Sequence, residues 1–261
     1  MSGLDDGLEN PVLIQEYSRQ GRATAAPAPL VLFHDGGGTL FSYFFLESLG
    51  RDVFGFADPR ATSGQQWKDG ITEMAIHYYR RMKMEIRPGS VILGGWSFGG
   101  LLALQLAQMI ASDSAGGFEV VGVILIDTSC PEKASYSSTV TNGPIVPFRD
   151  DVPDRMQEVV RASMVRNTEM LSQWEPPTWP QGYSKPPVLL LRAVEGIDAK
   201  KERSLKLGWE LCQHDVIDSV EMVPGNHYSL FESENIGTLS SRLRESCKRM
   251  EAPYRKAAGS D

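Results

Sequence analysis

Residues 90–111 read SVILGGWSFGGLLALQLAQMIA, and three kinds of segment meet in them. Ser90-Val-Ile-Leu-Gly94 is a short apolar run of the kind that fills a covered strand, whereas Phe98 to Ala111 is apolar nearly all round, as a helix buried on every side would be. Between them lies Gly95-Trp96-Ser97-Phe98-Gly99, a G-x-S-x-G extended by Gly94 and Gly100. A strand that turns straight into a helix through such residues can hold a serine at a strained tip, because glycines two positions either side let the backbones pass. The turn also puts the Phe98 N–H at a helix N-terminus, where it can stabilise a developing oxyanion. The same glycines argue against a membrane reading of the uncharged stretch 88–112, since a span needs about 20 apolar residues without that glycine load.

Outward from this stretch, short apolar runs alternate with helical patterns. Val12 to Ile14, Leu30 to His34, Val53 to Phe56, Val120 to Ile126, Val188 to Ala193 and Val220 to Val223 complete the predicted strands. Their runs are unbroken rather than alternating, which is what strands covered on both faces look like. Ile71 to Glu85 sets Ile71, Met74, Ala75, Tyr78 and Met82 on one side, and Ile236 to Met250 is an amphipathic closing helix. The alternation predicts an α/β fold, with a mostly parallel central sheet and helices on both faces. Residues 131–187 break the rhythm: they hold no strand, seven prolines from Pro144 to Pro186, and one helical pattern after Pro153. This is read as a helical lid inserted into a single domain spanning 1–261, with flexible tails at 1–10 and 251–261.

Composition narrows the functions. The chain of 261 residues carries 26 Lys and Arg against 33 Asp and Glu, a net charge of −7 that disfavours nucleic acid. With 41% hydrophobic residues it can bury a core. Its three cysteines, Cys130, Cys212 and Cys247, are odd in number, widely spaced and without C-x-x-C, so neither a disulfide framework nor a zinc or other metal site is expected. Residues 1–10 hold Asp5, Asp6 and Glu9 and no apolar run, and the last residues match no prenylation or peroxisomal signal. The expectation is a soluble cytoplasmic protein without a membrane partner.

A nucleophilic serine needs a base, and there are four histidines. His34 and His77 precede the turn, and His214 precedes the last strand. His227 follows that strand directly in Gly225-Asn-His-Tyr-Ser-Leu230, the position and chain order that a Ser, acid, His arrangement requires. The acid is Asp127, at the tip of the strongest strand, with Glu195 and Asp198 after the next strand as alternatives. For a second oxyanion donor, His34-Asp-Gly-Gly-Gly-Thr39 offers backbone amides that can approach a substrate oxygen; Gly36 is the first choice and Asp35 the alternative. Neither a dinucleotide fingerprint nor a P-loop pattern is present, which argues against a nucleotide site.

These motifs resemble those of the α/β-hydrolase thioesterases of polyketide and nonribosomal peptide synthesis. Gly95 to Gly100 looks like their elbow, Ile126-Asp-Thr-Ser-Cys-Pro131 like their acid loop, and Gly225 to Leu230 like their histidine loop. Phe33 to Thr39 is similar to the filamentous-fungal members in particular, and the resemblance runs from about Leu30 to Phe231. It implies an α/β-hydrolase fold and Asp127 as the triad acid. It also implies a small acyl substrate carried on the phosphopantetheine arm of an acyl or peptidyl carrier protein of a megasynthase, with no cofactor of the enzyme's own. An acyl-enzyme on Ser97 would be ended by water, an alcohol or an amine, with hydrolysis expected. The chain starts at Met1 and has no carrier module, so it is read as either an excised domain or, the preferred expectation, a free-standing enzyme acting in trans.

Met156, Met164, Met170 and Trp174 fall near helical spacing in the insertion and, with Trp179, are expected to line an acyl pocket; packing on the core is the competing reading. Two basic clusters, one of Arg80, Arg81, Lys83 and Arg87 and one of Lys200, Lys201, Arg203 and Lys206, read as carrier-docking patches or as solvated faces. Rival functions are a carboxylesterase or lactonase using the same triad, and a catalytically silent binding protein.

Overall fold

The computed structural model describes residues 10–18, 26–131, 148, 152–179, 181–196, 203–212 and 214–258. Seven strands, β1 (Val12–Gln15), β2 (Leu30–Phe33), β3 (Val53–Phe56), β4 (Gly89–Trp96), β5 (Phe118–Ile126), β6 (Val188–Ala193) and β7 (Ser219–Val223), form one sheet in the order β1-β3-β2-β4-β5-β6-β7. All pairings are parallel except that of the edge strand β1, which runs antiparallel to β3 with Val12 opposite Gly55. Among the described residues four α-helices accompany it: α1 (Gly70–Glu85), α2 (Phe98–Ser112), α3 (Asp154–Leu171) and α4 (Ile236–Ala258). This is the mostly parallel α/β sheet that the alternation predicts, in the α/β-hydrolase arrangement that the resemblance implies.

The unbroken apolar runs are explained by the two-residue period of a strand. Val31, Phe33, Val91, Leu93, Val123 and Leu125 point to one face, where α1 and α2 bury Tyr78, Met82, Leu102 and Leu106 against them. Leu30, Leu32, Ile92, Ile124 and Ile126 point to the other, under Leu239, Leu243, Cys247 and Met250 of α4. Every second residue therefore meets a different helix layer, and neither parity can be polar. None of the described helices is long and apolar enough to cross a membrane.

One expectation is corrected in part. Residues 251–258 are not a loose tail: α4 continues through Ala258, with Glu251 buried in an ion pair with Arg51 and Tyr254 packed on the α4-side core, while residues 259–261 lie outside the described residues. At the other end, residues 1–9 lie outside the described residues, and Asn10 is pinned by paired side-chain hydrogen bonds to Ala57 (both 2.9 Å). The cysteines are also less scattered in space than in sequence, since the thiols of Cys130 and Cys212 lie 2.7 Å apart.

The strand order decides where chemistry can happen. From β2 the chain moves outward to β3, whereas β4 to β7 extend the opposite way, so loops leaving β2 and β4 diverge and open a crevice at the carboxyl edge. The glycine run follows β2, Ser97 follows β4, Asp127 follows β5 and His227 follows β7. Helix α3, starting directly after Pro153, is laid across this edge.

Candidate active site

Ser97 sits between β4 and α2 at φ 55° and ψ −119°, a conformation that costs a non-glycine residue about 1–3 kcal/mol. The turn is held from several sides. Ser97 N–H donates to Ile126 O (2.9 Å), while Ser97 O accepts from Thr128 Oγ1 (2.9 Å) and Gly100 N–H (3.2 Å). Below it, Tyr43 Oη accepts from Trp96 N–H and donates to Phe33 O, both at 2.7 Å, tying the ends of β4 and β2 together. The glycines are required by distance. A Cβ on Gly95 would lie 2.3 Å from the carbonyl carbon of Gly99, and one on Gly99 would lie 2.3 Å from Phe33 O.

Asp127 also has a positive φ (44°), is wholly buried, and anchors its own backbone by donating to Leu191 O at 2.7 Å. Its Oδ1 accepts from Ala193 N–H (2.9 Å); its Oδ2 accepts from His227 Nδ1 (2.8 Å) and Arg203 Nη2 (3.0 Å). Burial pushes the carboxyl upward, but the His227 bond and charge, the Arg203 guanidinium and the Ala193 amide together outweigh it. Asp127 is held below its ordinary value as a carboxylate. Bonding through Nδ1–H leaves His227 Nε2 as the ring's proton acceptor.

The loop that carries His227 is fixed by Asn226, whose Oδ1 accepts from the amides of Tyr228 (3.0 Å) and Ser229 (3.1 Å). Trp96 packs against the imidazole with ring centroids 5.2 Å apart. Among the described residues no hydrogen bond joins Ser97 Oγ to His227. The two side chains line one cavity of about 330 Å³, and such a bond commonly tightens only when substrate is bound.

The glycine loop is resolved by accounting for its amides. Asp35 N–H is taken by Thr39 O (3.4 Å), Gly37 N–H by Asp35 Oδ1 (2.8 Å) and Gly38 N–H by Asp35 O (3.0 Å). Of the amides of this loop, that of Gly36 alone has no acceptor among the described residues, and Gly36 lines the cavity. Phe98, in the first turn of α2, lines it too, and first-turn helix amides lack intrahelical partners. The geometry thus favours Gly36 over Asp35 as the donor. The Asp35 carboxyl serves the loop instead, accepting from Gly37 and Thr39, and its burial raises it above the ordinary value.

The other sequence-derived residues scatter. Met164 lines the cavity beside Gly36. Met170 and Trp174 do not: they line a second cavity, of about 570 Å³, formed with the start of α1, and Trp174 Nε1 donates to Gln105 there (2.9 Å). Met156 is exposed at the near end of α3, and Trp179 packs on the α1–α2 core. The cavity takes Met164, Asn167, Thr168 and Leu171 from one face of α3; Met170, six residues from Met164, is turned about 120° from that face, Trp174 follows the helix end, and Met156 stands about 12 Å back along the axis.

Glu195 is exposed and gives only its backbone oxygen to Arg203 (3.2 Å), Asp198 lies outside the described residues, and His214 is exposed. Of the second basic cluster, Lys200 and Lys201 lie outside the described residues, Lys206 pairs with Asp215 (2.9 Å), and Arg203 is turned inward onto Asp127. Arg203 and Asn167, whose Nδ2 donates to Gly36 O at 2.8 Å, are the site residues that sequence reasoning missed. Arg203 was hidden among charged neighbours, whereas Asn167 carries a signal: a polar residue at i+3 from Met164 on a core-facing stripe.

Comparison with known proteins gives a consistent picture. A thioesterase domain model matches residues 28–247. The chain is 95% identical to thioesterase AMT4 of Alternaria alternata, over all of both chains. It is 28% identical to a segment of the nonribosomal peptide synthetase imqB of Aspergillus flavus, covering 92% of this chain and 8% of that one. Among solved structures, the NocB thioesterase domain from the nocardicin cluster superimposes with a TM-score of 0.63 at 24% identity, over 85% of this chain and 94% of that one.

Proposed function

The chain belongs to the thioesterase family, of the type associated with polyketide and nonribosomal peptide synthesis, and from that premise we propose that it releases an acyl or peptidyl chain from a carrier protein through an acyl-Ser97 intermediate. His227 Nε2 takes the Ser97 proton as Oγ attacks the thioester carbonyl, and Asp127 orients the ring and balances the imidazolium. The N–H groups of Phe98 and Gly36 receive the oxyanion. Collapse expels the phosphopantetheine thiolate, which takes the proton from His227. Water, deprotonated by the same nitrogen, then attacks the acyl-serine, and Ser97 leaves with the proton. No metal or organic cofactor enters these steps.

The observation that carries the reading is convergence on one cavity. A serine in a strained turn, a histidine whose other nitrogen is bound to a buried carboxylate, and one unclaimed backbone amide all face it. Met164, Leu101 and Leu171 give it an apolar wall for an acyl chain. Action in trans, on a carrier protein of a separate megasynthase, is part of the same proposal.

Intact-mass spectrometry tests the proposal. Wild type, Ser97→Ala and Asp127→Asn are treated with a fluorophosphonate and, separately, with an acyl pantetheine thioester. One adduct on wild type, none on Ser97→Ala, and thioester turnover that collapses in both variants is the expected result. Labelling with ester but not thioester turnover would favour an esterase; no adduct would leave a binding protein.

A further inference from the structure

The triple glycine is matched, residue for residue, by one stripe of the insertion helix. A Cβ on Gly37 would lie 2.8 Å from Val160 Cγ1, one on Gly38 would lie 3.6 Å from Ser163 Oγ, and one on Gly36 would lie 3.8 Å from Met164 Cγ. Val160, Ser163, Met164 and Asn167 follow the i, i+3, i+4, i+7 spacing of a single helical face, and Ser163 and Asn167 are almost wholly buried. Arg166 locks the helix in place by donating to Ala61 O (3.1 Å) and Ser163 Oγ (2.9 Å). Helix α3 therefore rests on the loop as well as roofing a pocket.

Both peptide planes flanking Gly36 are clamped. The oxygen of the Asp35–Gly36 peptide is held by Gly38 N–H (3.0 Å) and His34 Nδ1 (2.7 Å), so its N–H points the opposite way, into the cavity. The Gly36–Gly37 peptide has its N–H on Asp35 Oδ1 and its oxygen on Asn167 Nδ2. Three of these holds come from within residues 34–38, whereas Asn167 lies 131 positions away on the insertion. A glycine has no side chain to restrict its own dihedrals, so an external bond does that work.

We propose that Asn167 is a positioning residue of the oxyanion hole: its hydrogen bond to Gly36 O makes the insertion helix part of the catalytic apparatus. This rests on the assignment of the Gly36 N–H as an oxyanion donor. Asn167 touches no reacting atom in this role and acts only through the loop it restrains.

The test uses Asn167→Leu, which keeps the branching at Cγ and loses the donor, with Asn167→Ser as a second, smaller variant whose hydroxyl is too short to reach. Thermal unfolding confirms that each variant is folded. Turnover of an acyl pantetheine thioester should lose about 10- to 100-fold in kcat with KM held within about threefold, as expected when a transition-state contact is misplaced. A trifluoromethyl ketone, which forms a tetrahedral oxyanion on serine, should bind more weakly by the same factor. In a Gly36→Pro background, where the donor hydrogen is gone, Asn167→Leu should add nothing. Unchanged kcat, a kcat loss without weaker ketone binding, or an additive loss in the double variant would overturn the proposal. If Gly36→Pro alone turns over like wild type, the oxyanion assignment fails instead; if Gly36→Pro is slow and Asn167→Leu is not, only the role of Asn167 fails.

Discussion

Replacing Arg203 with methionine removes the one cation that shares the Asp127 carboxylate with His227. At the observed 3.0 Å the gross attraction is about 5.5 kcal/mol with an effective dielectric of about 20. Arg203 retains a fifth of its side-chain surface in solvent, which screens that figure, and methionine avoids the cost of desolvating the guanidinium. Charge-assisted hydrogen bonds contribute about 1.5–3 kcal/mol net, and that is the loss expected at pH 7. The sign with pH follows from Asp127. Its folded value is lowered, so its contribution is complete above the ordinary carboxylate range and is lost as pH falls through the folded value. Without Arg203, burial has less opposition and the folded value rises, so wild type and variant differ most at neutral pH. The gap narrows as pH falls through the carboxylate range. A small residue from the lost bond to Glu195 O persists at acid pH. Urea unfolding at a series of pH values reads both quantities. A gap that stays constant from pH 7 to pH 3, or one absent at pH 7, would refute this account of the acid.

Other perturbations separate strain, space and chemistry. Ser97→Gly and Ser97→Ala should both be inactive, but Gly should be the more stable by about 1 kcal/mol in thermal unfolding, because only glycine occupies φ 55° without cost. Gly99→Ala drives a methyl to 2.3 Å from Phe33 O and should cost about 3 kcal/mol or more, read as aggregation or a collapsed urea midpoint. Met164→Arg should shift chain-length preference in a series of acyl thioesters without unfolding the protein. Trp174→Ala should leave that preference alone while destabilising by about 3–5 kcal/mol.

The legible parts of the sequence were those whose physics is local. A run such as Val120 to Ile126 is committed to a doubly covered strand because both parities are apolar, and Gly95 is dictated by an approach of 2.3 Å to Gly99 within one turn, although the matching approach of Gly99 is to Phe33 O across the sheet. His227 was singled out by its place directly after the last strand together with chain order. Contacts made across the fold were not legible. Nothing near Arg203 in the chain announces that its guanidinium turns inward to a carboxylate 76 residues away, and nothing near Asn167 names Gly36 as its acceptor. Met170 and Trp174 illustrate a third case. Met164, Asn167, Thr168 and Leu171 share the face of the helix that lines the site cavity, whereas Met170, six residues on from Met164, is turned about 120° away and Trp174 follows the helix end, so both lie beside Gly70 and Gln105 instead. A loose fit to helical spacing does not separate two neighbouring faces of one helix, so a pocket wall is not legible from it.

The seating of the insertion helix on the three glycines bears on how such an enzyme can be re-purposed. In many hydrolases a cap is treated as an exchangeable cassette, swapped to alter which substrates enter. Here Met164 borders the cavity, next to Ser163 and one turn before Asn167, which face the loop. A chimaera with a foreign cap would inherit a new wall and an unsupported glycine loop in the same step. Selectivity and turnover would then shift together. A graft that leaves Val160, Ser163 and Asn167 in place while varying the turns on either side would uncouple them.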